Sequence, residues 1–546
     1  MVMKKRPIPL KSNIVPETER TPLVTSLLTV IEQLTQQLAE QNTKINALLE
    51  EIRSLKKLSK KPKLRASTLE KNKDDKDNEP PGAGGTRKRA GSSKRSKTNQ
   101  LKIDKEETIK VKSVPLGSRH KGYQSYVVQD IRLQPIVTRY LLERWELPNG
   151  RIITAPLPKE VRGHHFGPTL RAYVLHQHHH QRVTQPLLRK QLLEWDIDIS
   201  SGQLNRLLTE DKESFHQEKA ALLPADIAVS SYIQVDDTGA RHQGKSGYCT
   251  FIGNELFSWF ESTGSKSRIN FLELLRGRHK DYRLTEESYA YMVRYKVAPW
   301  IRHKLHDADQ SHFISEQDLK CHLNALDITN EHYQRLVIEA ALIGSILNRG
   351  FSIDTVIISD DAGQFNVFNH ALCWIHAERG IKSLSMSTDT QTQAVGWARN
   401  ELWAIYQALR DYKSVPTLAA KTEITNRFDK LCATKTHYQL LNQALKRLHN
   451  NKEELLLVLE RPDIPLHNNL SERDIREYVT RRKISGSTRS DEGRRCRDTF
   501  ASLKKTALKM GVKFWDYLID RTFQSYSIPH LDELVRSSIK LPATTY

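Results

Sequence analysis

Cysteine is scarce and scattered in this chain. Five occur in 546 residues (Cys249, Cys321, Cys373, Cys432 and Cys496), none of them in a Cys-x-x-Cys pair. That spread argues against a disulfide framework or a cysteine zinc site and points to reduced thiols in the cytosol. No apolar run approaches the ~18 residues that a membrane span needs. The opening Met-Val-Met-Lys-Lys-Arg-Pro has no apolar segment of the kind a signal peptide carries. Negative charge is also short. Against 85 Lys and Arg stand 64 Asp and Glu, leaving a net +21 and a pI near 9.5. That balance suits a polyanion, nucleic acid above all, and places the chain in the cytoplasm with the nucleoid and away from membranes. The length implies several domains.

After an N-terminal tail (1–20), residues 24–55 hold an unbroken heptad. One seam carries Val24, Ile31, Leu38, Ile45 and Ile52; the other carries Leu27, Leu34, Gln41, Leu48 and Leu55. β-Branched residues at one seam and leucines at the other favour a parallel dimer, with Gln41 setting register. The expectation is a coiled coil over 21–58 and a homodimer or higher oligomer. Residues 56–97 hold 15 Lys and Arg against 5 Asp and Glu, around Pro80-Pro81-Gly82. Such a stretch builds no core, so 59–112 reads as a basic flexible linker able to hold phosphates without reading sequence.

The chain reads as globular from about 113, with a helical DNA-binding region over 113–225. Thr184–Trp195 reads as one helix, and Ser200 caps a second whose Leu204, Leu207 and Leu208 face inward. The segment 184–208 has the pattern of a helix-turn-helix. Ser201, Gln203, Asn205 and Arg206 lie on its outer, DNA-reading face. His164, His165, His176 and His178–His180 upstream read as a solvated or phosphate-contacting cluster, not a metal site.

Residues 226–515 read as an α/β catalytic domain, followed by a helical tail (516–546). Ser231–Val235, Gly247–Ile252 and Leu256–Phe260 are the first three strands, with a helix over Ile269–Leu275. Val356–Ser359 and Ala371–Ile375 are the last two. Three strands, a helix, then two more strands is the order of a ribonuclease H-like sheet. Residues 388–460 read as an all-helical insertion. Asp236 and Asp360 end the first and fourth strands, and Glu472 lies just inside a helix opened by Asn468-Asn469. Three carboxylates on rigid elements suit two hard divalent cations roughly 3.5–4 Å apart, the arrangement used for phosphoryl transfer. Simpler readings exist for each. Asp236 can close a strand-end turn, one of Asp360 and Asp361 can cap the turn that follows, and Asn469 and Glu472 have capping-box spacing. The single Asp237-Thr238-Gly239 resembles half an aspartic-protease site, which needs two.

The motifs around these acids resemble insertion-sequence family 66 transposases. Ile233-Gln-Val-Asp-Asp-Thr-Gly-Ala-Arg241 is similar to their first acidic motif. Ser359-Asp-Asp-Ala-Gly-Gln-Phe365 and His370-Ala-Leu-Cys-Trp-Ile-His-Ala-Glu-Arg379 are similar to the second motif and the segment after it. Pro465-Leu-His-Asn-Asn-Leu-Ser-Glu-Arg-Asp-Ile-Arg476, then Arg481-Arg-Lys483, matches the glutamate motif. The family usually has Asp-Glu-Thr where this chain has Asp-Asp-Thr, and many members carry a cysteine-rich zinc segment that is lacking here. The resemblance implies a DDE transposase of a bacterial insertion sequence. It would bind transposon ends and target as double-stranded DNA, then cleave and transfer strands. Asp236, Asp360 and Glu472 would hold two Mg²⁺ or Mn²⁺ ions, with Asp237 and Asp361 as alternates. Arg473, Arg476, Arg481, Arg482 and Lys483 would meet DNA, and His376, on the strand after Asp360, would stand close behind the metal ligands. Small accessory proteins of the same element are implied as partners. An inactive, transposase-derived DNA-binding protein and a metal-dependent nuclease of the same fold are the alternatives.

Overall fold

The computed structural model describes residues 102–539 except 114, 122, 125 and 132, together with 21, 26 and 33. The expected coiled-coil seams, the basic stretch 56–97 and the end of the C-terminal tail lie outside the described residues.

The chain divides into two units, up to Leu133 and from Gln134 onward. In the first, the described residues 102–133 form no helix or strand and are almost all exposed. The globular start expected near 113 is therefore displaced. The next element is a short hairpin, β1 (Arg144–Glu146) and β2 (Ile152–Thr154), also exposed. The expectation that 113–225 is helical throughout is corrected accordingly: burial begins only at Pro168. Four helices follow, α1 (Pro168–His179), α2 (Gln185–Glu194), α3 (Ser201–Thr209) and α4 (Glu213–Ile227).

Next comes the main sheet. Strands β3 (Tyr232–His242), β4 (Lys245–Gly253) and β5 (Ser258–Thr263) form an antiparallel meander. Helix α5 (Arg268–Arg276) follows. Then come α6 (Glu286–Arg294), α7 (Pro299–Asp307), α8 (Glu316–Ala325) and α9 (Glu331–Asn348), with a minor pair β6 (Tyr282–Arg283) and β7 (His312–Phe313). Strands β8 (Val356–Ser359) and β9 (Asn369–Leu372) return to the sheet, both parallel to β3, for an order β5-β4-β3-β8-β9. Val356–Ser359 is buried at every position, which is why it reads as a continuous apolar run instead of an alternating one.

Strand β9 stops at Leu372, three residues short of the expected end at Ile375. Trp374 instead opens helix α10 (Trp374–Lys382). Its backbone N–H donates to Leu466 O (3.0 Å) and its indole N–H to Leu455 O (2.8 Å), so the ring anchors to the helical insertion. The insertion comprises α11 (Asp389–Ser414), α12 (Leu418–Ala433), α13 (Gln439–Asn450) and α14 (Lys452–Leu456). These helices share a core with Val356, Ile358, Ala371 and Trp374, so the insertion packs on one face of β8 and β9.

Helix α15 (Asn469–Ser485) packs against β3 and β4, and α16 (Asp491–Lys509) closes the edge at β5. β5 is an edge strand, whose free N–H groups would otherwise invite pairing. Helix α16 satisfies them with side chains. Asp498 accepts from Ser262 N (2.8 Å), Ser502 from Phe260 N (2.9 Å) and Thr506 from Ser258 N (3.1 Å). Two strand residues advance about 6.8 Å and four helical residues about 6 Å, so a polar residue every fourth position meets every second strand N–H.

Helices α17 (Phe514–Thr522) and α18 (Leu531–Ile539) are packed, not a tail. Tyr517, Leu518, Leu531 and Val535 are buried in the same core as Leu222, Ile233 and Leu342. That core also runs across the boundary expected at 225/226. The histidine cluster is corrected too. His179 is 3 % exposed and stacks on Phe500, and His178 is mostly buried, its Nδ1 2.9 Å from Val183 O. Burial pushes the His178 pKa down to about 3 and the His179 pKa down as well, so these two rings are neutral, while His165 stays exposed. Among the described residues, no helix is long and apolar enough to cross a membrane.

Candidate active site

Parallel pairing of β3 with β8 aligns Gln234 with Ile358. Continued two residues, that register brings Asp236 abreast of Asp360, just past the end of β8, on chains about 4.8 Å apart. Asp236 does not end its strand as expected: pairing with β4 carries β3 on to His242, which leaves the acid inside the strand. Glu472 arrives from α15. The first turn of that helix is held against β3 by Gln234, whose buried side chain donates to His467 O (3.3 Å) and accepts from Ser471 N (3.2 Å). Gln234 and Asp236 share one face of the strand, so the clamp that seats the helix stands next to the first acid.

The electrostatics record this convergence. The pKa of Asp236 is pushed up to about 7, chiefly by burial, then by the charge of Asp360, with Asp237 and Glu472 adding to it. Among the described residues Asp236 and Asp360 form no ion pair, whereas Glu472 does. Asp236 Oδ1 accepts only the neighbouring Asp237 N–H (2.8 Å), and Asp360 Oδ1 accepts Ala362 N–H (3.2 Å).

Glu472 is drawn elsewhere. Arg379 on α10 donates to both its oxygens (2.8 and 3.4 Å), His376 Nε2 lies 3.4 Å away and Arg476 3.9 Å. Accordingly, among the described residues no three His, Cys, Asp or Glu side chains stand in a ready metal-ligand arrangement. The capping-box reading of Glu472 does not hold: Asn468 is the N-cap, and no side chain closes it.

The alternates are occupied. Asp237 accepts from Gln364 Nε2 (2.6 Å), and burial raises its pKa. Asp361 accepts from Arg447 Nε (2.7 Å) and Asn451 Nδ2 (3.1 Å), which turns it toward the insertion. His376 lies on helix α10, not on a strand, because the sheet ends before Trp374. Arg379 was quoted in a motif without a role; its signal was the three-residue spacing from His376, which puts both on one helical face.

The expected DNA-contacting residues divide. Arg473, Arg476 and Lys483 are exposed. Arg482 is half-buried, 3.4 Å from Thr238 Oγ1. Arg481 is a correction: it is 8 % exposed and donates to His179 Nδ1 (3.0 Å), because its turn of α15 faces α1 and not solvent. On α3, Ser201 and Arg206 are exposed. Gln203 is held in a capping box with Ser200, and Asn205 accepts from Gln185 (3.3 Å), so two of the four expected reading side chains already have partners.

A stability effect follows from the acid cluster. The folded pKa of Asp236 lies above its ordinary 3.8, so between about pH 4 and pH 7 the folded state holds the extra proton. Stability is therefore full at the acid end and falls as pH rises through about 7. In EDTA, the thermal midpoint should drop by several degrees more in the wild type than in Asp236→Asn between pH 4.5 and 7.5. Equal drops in the two proteins would refute this reading of the site.

Comparison with known proteins agrees with the motifs. The family model described as "Transposase IS66 family" matches residues 338–495, a span holding β8, the insertion and the Glu472 helix. A protein of Sinorhizobium fredii (strain NBRC 101917 / NGR234), named "Uncharacterized protein y4jO", is 44% identical over 302 residues, which is 55% of this chain and 94% of that protein. Acids on β3, at the end of β8 and on α15, the motif residues that surround them and these two matches agree: the chain belongs to the IS66 family of transposases.

Proposed function

We propose that the chain is a DDE transposase. It would bind the ends of its element as double-stranded DNA and catalyse divalent-metal-dependent strand cleavage and strand transfer on a ribonuclease H-like sheet. The observation that carries this is the raised pKa of Asp236, caused by burial and then by Asp360, with Glu472 contributing from a third element. Two carboxylates without an ion pair among the described residues, Asp236 and Asp360, and a third held by Arg379 make an all-oxygen donor set that fits a hard cation. Asp236, Asp360 and Glu472 would hold Mg²⁺ or Mn²⁺, with Glu472 exchanging Arg379 for the ions. Two such ions would supply a lowered pKa for an attacking water or 3′-hydroxyl and stabilisation of the leaving oxygen. Arg473 and Arg476, exposed beside Glu472 on α15, would take neighbouring phosphates. Helices α2 and α3 would dock as a helix-turn-helix, with Ser201 and Arg206 free to reach DNA. Residues 21–58 would dimerise the chain, and small accessory proteins of the element would join the complex.

The test is a plasmid carrying the DNA that flanks the gene, incubated with purified full-length chain. Nicks ending in 3′-hydroxyls are expected with Mg²⁺ or Mn²⁺ and not with EDTA. Asp360→Asn should lower nicking by at least about a hundredfold. Unchanged cutting by that variant would overturn the assignment. Joined products separate a transposase from a nuclease of the same fold. The Arg379–Glu472 pair favours a second reading, a family member that binds ends without cutting; intact binding with no nicks in any metal would establish it.

A further inference from the structure

Between the α2–α3 pair and the corner joining α15 to α16 lies a cavity of 750 Å³. Its walls carry four guanidinium groups, Arg189, Arg481, Arg489 and Arg497, together with His178 and His179. No Asp or Glu lines it. In a chain with 64 acidic residues, an acid-free wall of that size marks a place for an anion.

The backbone points the same way. Three helices begin at this cavity, which is lined by the N-caps of α2 and α16, Thr184 and Ser490, and by the first residue of α3, Ser201. Each N-terminus carries partial positive charge and N–H groups without intrahelical partners. The Thr184 side chain makes no capping bond to its own helix.

A separate observation concerns the buried groups. His179 is 3 % exposed. Its Nδ1 accepts a hydrogen bond from Arg481 (3.0 Å), which puts the ring's own proton on Nε2, and that atom is buried with no acceptor among the described residues. Arg481 is itself 8 % exposed, and burial together with Arg497 pushes its pKa down to about 9. A buried His179 N–H with no acceptor, next to a buried guanidinium that forms no ion pair among the described residues, describes a site that a ligand completes.

We propose that this cavity binds a phosphodiester group of DNA. The inference rests on the DNA-binding reading above. It favours a polynucleotide over a free anion because of what the walls belong to. One wall is the helix pair expected to meet DNA. The other is α15, the helix that carries Glu472. Arg481 lies nine residues beyond Glu472, roughly 13 Å along the helix axis. That is about four base-pair steps of duplex at 3.4 Å each. A phosphate seated here sets how far a DNA end reaches toward the acids, which couples end recognition to the cleavage position.

The experiment uses full-length protein and a fluorescein-labelled 30-base-pair duplex from the flanking DNA, with anisotropy titrations from 50 to 300 mM NaCl. The variants are Ser201→Glu, which adds a carboxylate at the cavity lip, and Arg489→Gln. Both positions are exposed, and an acid at the first turn of α3 suits its dipole, so folding should persist. Each variant is expected to bind at least fivefold more weakly, with the slope of log K against log [salt] reduced by about 0.9, the loss of one phosphate contact. Lys320→Gln, outside the cavity on α8, should change neither. If the wild type binds the duplex and both variants match it in affinity and slope, the cavity assignment falls while the DNA-binding reading stands. If the wild type binds no duplex, that reading falls and takes the inference with it. If millimolar AMP raises the thermal midpoint of the wild type but not of Ser201→Glu, and duplex affinity is the same for both, the site belongs to a free nucleotide and the DNA assignment is overturned.

Discussion

Glu472→Gln should bring metal-dependent nicking to about one thousandth of the wild-type rate or below, with duplex affinity unchanged within twofold. The substitution keeps shape and removes one charge. A carboxylate that binds a cation stabilising the transition state contributes several kcal/mol, and about 4 kcal/mol is a thousandfold in rate. Binding should be spared because the exposed basic groups proposed to meet phosphates, Arg473, Arg476 and Lys483 on the same helix, keep their charge and exposure. The fold is spared as well. Glu472 pairs with Arg379, whose side chain is 50% exposed, and pairs of that kind contribute about 0–1 kcal/mol. Loss of the Glu472 charge also relieves Asp236, which is held up partly by it. Gel analysis of nicked plasmid and anisotropy on the same preparations would settle it. A variant that cuts at the wild-type rate removes Glu472 from the site.

The second large effect is on stability. Glu218 on α4 is 2 % exposed and collects four hydrogen bonds from the last two helices. They come from Tyr517 Oη (2.9 Å), Arg521 Nε and Nη2 (3.0 Å each) and Leu531 N (3.0 Å). Glu218→Ala leaves the buried Arg521 without its principal counter-charge and the first turn of α18 without its cap. Removing one partner of a buried pair costs about 3–5 kcal/mol. At about 2 °C per kcal/mol for a large domain, the thermal midpoint should fall by on the order of 5–10 °C. Proteolysis should then cut first in the 523–530 segment between α17 and α18. A midpoint within 1 °C of wild type would show that these helices are held by apolar packing alone.

Much of the site was legible because its chemistry is local. Asp236 and Asp360 follow short apolar runs, and the β-branched content of Val356-Ile357-Ile358 marks a strand wherever it packs. The helices of the insertion were legible from apolar spacing such as Leu441, Leu445 and Leu448, all now buried in one core. Other features depend on pairings remote in sequence. Gln234 reads as one polar residue in a buried strand; only with α15 in place does it become the clamp that seats Glu472. Asp498, Ser502 and Thr506 read as an unremarkable polar stripe until β5 lies against them. Arg481 shares its basic run with Arg482 and Lys483, and nothing in that run marks which of the three turns inward.

Composition and charge by themselves pointed to a polyanionic partner, the apolar runs placed Asp236 and Asp360 on or beside strands, and the motifs around them carried the resemblance to the IS66 transposases. Those properties reside in residue identity and in short-range periodicity, which survive in one dimension. Tertiary structure alone decided that Glu472 rests on Arg379 and His376, that His179 and Arg481 are buried, and that an acid-free cavity opens beside them. Each of these depends on which groups more than ninety residues apart in the chain come within hydrogen-bonding distance, and on how much water packing removes from around them.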